Sequence, residues 1–272
     1  EDMAAGGGLL TAADLAAYRV HEREPARVSY REYELVTNPQ PALGGELLGV
    51  SLGLVEARGS PAPWGSAEHL VRLAETMIET DRIREQVGDG EAPRFTRGTT
   101  HVSVSDVEGN VASMTTSNGE SSGYIVPHTG VMLNNMMGED DLHPEGFGAV
   151  RPGERVLSMM CPSLLMRDGE VALAVGSGGS KRIRTALTQV ISNVVDYGMD
   201  VAAAIEAPRL HWDGQQLQAE PGFPGAALRV LAERWRVNRW DERNLYFGGV
   251  HAVAPGREGA GDPRRDGAAI VC

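Results

Sequence analysis

The hydrophobic pattern of this 272-residue chain changes character at a loop near residues 88–98, which is rich in glycine and has no periodicity. Before the loop, apolar residues recur at helical spacing and predict helices at about 45–58 and 66–86. After it, alternating apolar residues predict a β-hairpin with its turn at 106–110. Helices followed by hairpins that enclose two central helices favour a layered α+β fold over a doubly wound sheet.

The rest of the chain continues this α+β alternation. Thr11 and Asp14 form the sequence pattern of a capped short helix. The turn residues Arg167-Asp-Gly169 predict a second hairpin, and a glycine-rich loop at 176–180 leads into a helix. The later elements are predicted as strands at 163–166 and 170–175, helices at about 182–197, 200–206 and 225–234, and terminal strands near 249–254 and 268–271.

Composition and charge exclude several classes of partner. Hydrophobic residues make up 42% of the chain and charged residues 23%, which is ordinary for a soluble globular protein. The net charge of −12 argues against nucleic acid as the main partner, since that role needs clustered cations. Basic pairs such as Arg264 and Arg265 are interrupted by acids, which is typical of a solvated surface. No segment approaches the roughly 18 consecutive apolar residues of a membrane span.

The first residues carry no initiator methionine and no charged-then-apolar leader. We therefore expect this start to be a cut edge, with any signal peptide lying upstream of it. A soluble protein is expected, with the cytoplasm favoured and export left open.

One segment, Gly98-Thr-Thr-His-Val-Ser-Val104, joins a loop and a hydroxyl pair to the first predicted strand. Thr-Thr at the start of a strand is by itself a common β-favouring pair. Here it begins a series of motifs that occur in order: TTHVSVSDVEGNVASMT, GVMLNN, RVLSMMCPSLLMRDG and GSGGSKRI. Together they resemble the small subunit of γ-glutamyltranspeptidases. Upstream, GGLLTAADLAAYRV and PQPALGGELLGVSLGLVE resemble the end of that family's large subunit.

The resemblance implies a four-layer αββα sandwich of the N-terminal nucleophile hydrolase type. Residues 1–98 would be the C-terminal, mostly helical part of the large subunit, with most of that subunit missing. Residues 99–272 would be the small subunit, and the two parts would form one domain. Both subunits would come from one precursor.

In such enzymes the first threonine of the Thr-Thr-His triplet, here Thr99, cleaves the chain between Gly98 and itself. Cleavage leaves Thr99 with a free α-amine, whose ordinary pKa is about 7.7–8.0. Near neutral pH the unprotonated amine can serve as general base for the hydroxyl of the same residue. Thr100 is interpreted as structural.

The resemblance assigns two further residues near the nucleophile. Ser117 lies where the family has a second hydroxyl, often threonine, that hydrogen-bonds the nucleophile. The alternative for Ser117 is a simple turn serine before Asn118-Gly119. Asn118 matches an asparagine that contacts the substrate.

The glycine-rich loop has two interpretations. Backbone N–H groups before a helix can cradle phosphate, yet neither GxxxxGK[ST] nor GxGxxG is present. In the transpeptidase interpretation, Gly179 and Ser180 donate N–H groups to the oxyanion of the tetrahedral intermediate. Ser180 departs from the family's Gly-Gly, and serine tolerates fewer backbone conformations than glycine.

The resemblance also predicts substrate-binding residues. An acid that binds the substrate ammonium falls at Glu139, with Asp140 as the second choice, although a solvated acidic loop is the alternative. Ser158 matches the first of two serines that hold the substrate carboxylate. The second position is Met159, which cannot donate a hydrogen bond. The arginine that completes this clamp would lie in the missing part of the large subunit.

We therefore predict an amide hydrolase and acyltransferase without a cofactor. Its small-molecule substrate would be glutathione or a related γ-glutamyl amide, and the acyl group would pass to water or to an amino acid or peptide amine. Two alternatives stay open: an acylase for β-lactam side chains, and an inactive homologue that serves as a scaffold. The seven histidines show neither HExxH nor HxH spacing, so no metal site is predicted.

Overall fold

The computed structural model describes residues 2–85, 98–138 and 150–271. Seven α-helices and eleven strands are found in these ranges. The helices are α1 Asp2–Ala5, α2 Ala12–Ala17, α3 Leu43–Ala57, α4 Ala67–Glu85, α5 Arg182–Val195, α6 Val201–Glu206 and α7 Gly225–Ala232. The strands are β1 Ala26–Tyr30, β2 Tyr33–Thr37, β3 Thr99–Ser105, β4 Val111–Ser117, β5 Ser163–Arg167, β6 Glu170–Gly178, β7 Leu210–Trp212, β8 Leu217–Ala219, β9 Val237–Arg239, β10 Gly249–Ala254 and β11 Glu258–Ala260.

A six-stranded sheet forms the centre of the molecule, with the order β1-β2-β5-β6-β10-β11. Every neighbouring pair in it is antiparallel. The predicted turn at Asp168 and Gly169 joins β5 to β6, and both residues have positive φ, as a two-residue hairpin turn requires. Sequence analysis did not predict β1 and β2, which extend the sheet from the N-terminal side of the loop.

One face of this sheet packs against α3, α5 and α6 to form the main core. Leu35, Leu165 and Val250 of the sheet meet Leu48 of α3 and Leu187 of α5, and all five side chains are fully buried. The periodic apolar residues of the helices thus point at the alternating apolar residues of the strands.

The other face is covered by β3 and β4, which pair with each other and pack across β6 and β10. Side chains in β3 alternate, so that Thr99 and His101 point inward while Thr100, Val102 and Val104 are exposed. Because β6 lies between α5 and this second sheet, its C-terminal half is buried on both faces.

The described residues therefore stack helices, a first sheet and a second sheet, in the order that an αββα sandwich predicts. The predicted α+β class is confirmed. A smaller second core joins α4 and α7 to a three-stranded sheet of β7, β8 and β9.

The terminal strand predicted near 268–271 is wrong. Those residues adopt no regular structure, and the edge next to β10 is occupied by β11, which the turn after Ala254 folds back onto it. The strand predicted at 249–254 is confirmed as β10. None of the helices in the described ranges has the length and apolar character to cross a membrane.

Candidate active site

Thr99 and Ser117 meet at the open end of the β3–β4 hairpin. The two residues are paired in the antiparallel register, so their side chains lie on the same face. Their Oγ atoms are 2.8 Å apart and share a hydrogen bond. The Oγ of Ser117 also accepts the N–H of Gly119 at 3.0 Å. The predicted pairing of two hydroxyls is therefore present in the structure.

The peptide bond before Thr99 is held closely by the loop after β4. The N–H of Asn118 donates to the carbonyl oxygen of Gly98 at 3.1 Å. A Cβ atom on Gly98 would lie 2.0 Å from the carbonyl oxygen of Gly119, so only glycine fits there without a shift. Asn118 thus contacts the bond that sequence analysis predicts to be cleaved.

The glycine-rich loop lies against β3, the strand that begins at Thr99. A Cβ atom on Gly178 would lie 2.4 Å from the carbonyl oxygen of Thr99, which shows how closely the two backbones approach. Gly179 and Ser180 follow directly and lead into α5. Ser180 is buried and has φ of 51°, in the left-handed region that favours glycine. The two predicted oxyanion donors therefore lie next to Thr99, at the N-terminus of a helix, where the helix dipole favours negative charge.

Arg265 also reaches this site, which sequence analysis did not predict. Its Nη1 atom donates to the carbonyl oxygen of Thr99 at 3.3 Å. The preceding Arg264 is buried and pairs with Glu220 at 2.5 Å and Asp262 at 3.2 Å. Arg264 is therefore a core residue and not part of the solvated surface that the charge pattern predicts. The two arginines are adjacent in sequence, but Arg264 forms ion pairs in the core and Arg265 contacts Thr99.

His101 lies two residues after Thr99 on the same inward face. Its ring nitrogens contact the hydroxyls of Thr115 at 2.8 Å and Ser103 at 2.9 Å. Burial, reinforced by the nearby His251, lowers the pKa of His101 to about 4. The ring is therefore neutral at physiological pH, and its contacts identify it as a structural histidine of the β3–β4 sheet.

Ser158 is held at the start of α3 by backbone hydrogen bonds. Its carbonyl oxygen accepts the N–H groups of Leu43 and Gly44, and its Oγ accepts the N–H of Met160. It lines a cleft of about 820 Å³ that Asn134 and Met136 also line. The neighbouring Met159 is buried in the main core, so its side chain points away from that cleft. The predicted second serine position of the clamp is thus an apolar core position in this chain.

The predicted ammonium-binding residues Glu139 and Asp140 lie outside the described residues. Among the described residues, no group of three His, Cys, Asp or Glu side chains is placed to hold a metal ion. The candidate site therefore consists of the paired hydroxyls of Thr99 and Ser117, the closely packed peptide bond between Gly98 and Thr99, and the backbone loop at the N-terminus of α5. Those groups can support attack by a hydroxyl on a carbonyl carbon and can stabilise the resulting oxyanion.

The whole chain matches the sequence profile of the family described as Gamma-glutamyltranspeptidase, over residues 1–97 and 91–272. The chain belongs to the γ-glutamyltranspeptidase family. It is 32% identical to the Acylase ACY 1 proenzyme of Pseudomonas sp. strain SE83, with 93% of this chain and 52% of that protein covered. It is 30% identical to the Glutathione hydrolase proenzyme of Escherichia coli K12, with 97% of this chain and 55% of that protein covered. The chain thus spans about half the length of these relatives.

Solved structures of this family have the same fold. A cephalosporin acylase from Bacillus halodurans superposes with a TM-score of 0.78 at 25% identity, covering 97% of this chain and 56% of that one. A γ-glutamyltranspeptidase from Pseudomonas nitroreducens, complexed with L-DON, superposes with a TM-score of 0.55 at 28% identity, covering 64% of this chain and 99% of that one. The family therefore includes both glutathione hydrolases and acylases among the relatives of this chain.

Proposed function

We propose that this protein is a self-processing amide hydrolase and acyltransferase whose nucleophile is the hydroxyl of Thr99, acting on γ-glutamyl amides such as glutathione. The observation that carries the proposal is the 2.8 Å contact between the hydroxyls of Thr99 and Ser117, directly after Gly98. A threonine at the start of a strand, hydrogen-bonded to a second hydroxyl, supports the assignment of Thr99 as an N-terminal nucleophile that its own α-amine can activate.

Self-cleavage begins with attack of the Thr99 hydroxyl on the carbonyl carbon of Gly98. The carbonyl oxygen takes up the negative charge, and the N–H of Asn118 already donates to it. The C–N bond then breaks, the proton given up by the Thr99 hydroxyl passes to the Thr99 nitrogen to form the amine, and Gly98 is left as an ester on the threonine oxygen. Water hydrolyses the ester, which frees the carboxylate of Gly98 and the hydroxyl of Thr99. Large and small subunits thereby arise from one precursor.

Turnover repeats this chemistry on the substrate. The free amine of Thr99 takes the proton of its own hydroxyl as the oxygen attacks the amide carbonyl carbon. The N–H groups of Gly179 and Ser180 stabilise the oxyanion. The leaving amine takes the proton and departs, leaving an acyl ester on Thr99. Water or the amine of an amino acid or peptide then attacks the ester and releases the acyl group.

The sizes of the relatives support a boundary at Gly98. Residues 99–272 make up 64% of this chain, which is the share that aligns with 99% of the P. nitroreducens chain. We therefore propose residues 1–98 as the end of a large subunit and residues 99–272 as the small subunit.

Intact mass of the full-length precursor over time, beside a Thr99→Ala version, tests the nucleophile. We expect the wild type to split immediately before Thr99 and the variant to stay whole, because the variant has no attacking oxygen. A wild type that stays whole under native conditions has no free threonine amine. That result would overturn the catalytic proposal and favour a scaffold protein.

A second candidate, an acylase for β-lactam side chains, is favoured by the acylases among the relatives of this chain. The acylase of Pseudomonas strain SE83 is as similar to the chain as the glutathione hydrolases are, and the cephalosporin acylase from Bacillus halodurans has the same fold. The two candidates differ in one substrate group, since a γ-glutamyl amide has an α-ammonium that a glutaryl amide lacks.

Paired chromogenic substrates separate the two candidates. The processed enzyme is assayed with γ-glutamyl-p-nitroanilide and glutaryl-p-nitroanilide, beside Glu139→Gln, Asp140→Asn and Ser158→Ala versions. We expect the γ-glutamyl substrate to be preferred and the preference to fall in Glu139→Gln, which removes the proposed ammonium-binding charge. A preference for the glutaryl substrate, unchanged in Glu139→Gln, would identify an acylase.

A further inference from the structure

Arg265 is half-buried beside Thr99, although the two residues are 166 positions apart in the chain. Its Nη1 atom donates to the Thr99 carbonyl oxygen, and its Nη2 atom lies 3.6 Å from where a Cβ on Gly179 would stand. A Cβ on Gly249 would lie 2.3 Å from its Cδ atom. The side chain therefore fills a space that exists only because the residues around it are glycines.

The charge of Arg265 is poorly compensated. Its Nε and Nη2 atoms are buried and have no hydrogen-bond partner within residues 2–85, 98–138 and 150–271. Burial, together with the neighbouring guanidinium of Arg182, lowers the pKa of Arg265, and Asp262 only partly opposes this effect. The carboxylate of Asp262 already bonds Arg209 at 2.7 Å and Arg264 at 3.2 Å.

A half-buried guanidinium with two buried nitrogen atoms that have no hydrogen-bond partner among the described residues destabilises a fold, and an apolar side chain of similar length would fill the same space without that penalty. A structural role alone therefore does not account for an arginine here. A fixed positive charge at an active site can stabilise a negative charge that develops only in the transition state. The loop of Gly179 and Ser180, on which we propose that the oxyanion forms, lies directly against this guanidinium.

We propose that Arg265 is a positioning residue for the reaction at Thr99: it fixes the carbonyl of the nucleophile by a hydrogen bond and places a permanent cation behind the oxyanion loop. This inference rests on the proposed function of Thr99. The cation favours the negative tetrahedral intermediate. It also disfavours a second positive charge on the adjacent α-amine, which keeps more of that amine in the basic form at neutral pH.

The other titratable groups around this site do not change charge over the range that matters. His101 on β3 has its pKa lowered to about 4, and burial also lowers the pKa of His251 on β10. The His101 ring is therefore neutral from pH 6 to 9, and the His251 ring titrates below its ordinary pKa of about 6.5. Arg182, at the start of α5, is a permanent cation, and its Nε atom donates to the carbonyl oxygen of Tyr246 at 3.0 Å. A change in the acid limb of kcat/KM between pH 7 and 9 therefore reports the pKa of the Thr99 amine.

The test compares Arg265→Met and Arg265→Lys in the full-length, self-processed enzyme, with Arg257→Met as the matched control. Arg257 is an exposed arginine in the turn between β10 and β11, so its loss removes the same charge away from the site. The readouts are kcat and KM for a γ-glutamyl anilide from pH 6 to 9, and the Tm of each version.

For Arg265→Met we expect the acid limb of kcat/KM to move up by about one pH unit, since a nearby cation no longer disfavours the protonated amine. We also expect kcat to fall at least tenfold with KM within about threefold of the wild type, and Tm to be unchanged or higher. Arg265→Lys restores the acid limb, and Arg257→Met matches the wild type throughout.

If the acid limb of kcat/KM for Arg265→Met coincides with that of the wild type, this inference is overturned and the proposed function is left intact. Absence of both self-cleavage and turnover in the wild type would instead overturn the proposed function. If Arg265→Met fails to mature, the amine of wild-type Thr99 is titrated through the pH dependence of its acylation. A pKa below the ordinary 7.7–8.0 is expected, and a value within or above that range contradicts the inference.

Discussion

At the scale of single residues, the candidate site depends on backbone groups rather than on unusual side chains. The N–H of Asn118 contacts the Gly98 carbonyl, and the N–H groups of Gly179 and Ser180 lie in the loop beside Thr99. A backbone N–H donates equally well whichever side chain its residue carries, as long as the backbone conformation is kept. Substitutions in the loop can therefore distinguish an effect of backbone conformation from an effect of the side chain on catalysis.

Ser180 offers that separation, because it has φ of 51°. We expect Ser180→Gly to keep kcat within about threefold, since glycine adopts this conformation readily and retains the N–H. We expect Ser180→Val to lower the free energy of unfolding by more than about 1 kcal/mol and to slow turnover, since a β-branched residue is a true outlier at positive φ. Thermal unfolding and steady-state kinetics measure both effects. Loss of activity in a folded Ser180→Gly would show that the serine hydroxyl itself acts.

Ser117 tests the paired hydroxyls. Ser117→Ala removes the hydrogen bond to Thr99, and a bond of that kind contributes about 1 kcal/mol, so we expect kcat to fall roughly fivefold. Ser117→Thr keeps the hydroxyl and should retain most of the activity. Steady-state kinetics on processed enzyme make the comparison. Equal kcat values for Ser117→Ala and the wild type would identify Ser117 as only a turn residue.

At the scale of elements, the distance between β3 and β6 sets the position of the nucleophile. The ring of His101 on β3 lies against Gly176 on β6, where a Cβ atom would come within 2.3 Å of the ring. Thr99 and His101 are on the same face of β3, so a shift of the ring moves the nucleophile as well. The glycine at 176 is therefore a spacer between two sheets.

Gly176→Ala should push the second sheet away from the first. We expect the free energy of unfolding to fall by about 1–3 kcal/mol, as for other overpacked cores, and self-cleavage to slow. The matched control is Gly53→Ala on α3, where a Cβ meets nothing within 4 Å and alanine favours the helix. Denaturant unfolding and the rate of precursor splitting measure the two versions. A Gly176→Ala protein as stable as Gly53→Ala would contradict the spacer role.

Local turn chemistry decided which hairpins could be predicted. The turn at Asp168 and Gly169 has the residues that tolerate positive φ, and the β5–β6 hairpin was predicted from them. The β1–β2 hairpin turns at Arg31 and Glu32, with φ of 55° at Arg31. Arginine at such a position carries no turn signal in the sequence. That conformation is maintained by tertiary contacts, among them the bond from the Arg31 N–H to Glu56 and the pair of Arg31 with Asp196.

At the scale of the whole molecule, buried neutral histidines connect stability to pH. Burial lowers the pKa of His69 and of His101 to about 4, and it lowers those of His211 and His251 as well. In the unfolded chain these rings take up protons near pH 6.5. Because the folded state binds fewer protons below that pH, the stability that is present above pH 6.5 is lost as the pH falls towards 4.

We therefore expect Tm to fall steadily between pH 6.5 and 4, ahead of carboxylate protonation. A lowering of the pKa from 6.5 to about 4 corresponds to roughly 3 kcal/mol for each such histidine at the acid end. Thermal unfolding at half-unit pH steps measures the slope. His69→Gln should reduce it, and His21→Gln at an exposed position should leave it unchanged. A Tm that is constant from pH 7 to 5 would contradict the expectation.

The sequence by itself determined the nature and order of most elements, because helical and strand periodicities are local properties. It also predicted, through ordered motifs, that Thr99, Ser117, Gly179 and Ser180 belong to one family-type site. In the structure Thr99 is hydrogen-bonded to Ser117, and Gly178, which directly precedes the other two residues, lies against Thr99. Two elements show the limit of local sequence patterns. The β1–β2 hairpin has no turn signal and was not predicted, and the strand predicted near 268–271 is absent.

Only the tertiary structure determined which groups the charged residues contact. Arg264 and Arg265 are neighbours in sequence with equal polarity, yet one pairs with Glu220 in the core and the other lies beneath Thr99. The physical reason is that a charge responds to every group within several ångströms, wherever that group lies in the chain. Periodicity reports only which way a side chain points. What it meets there depends on how the sheets and helices pack.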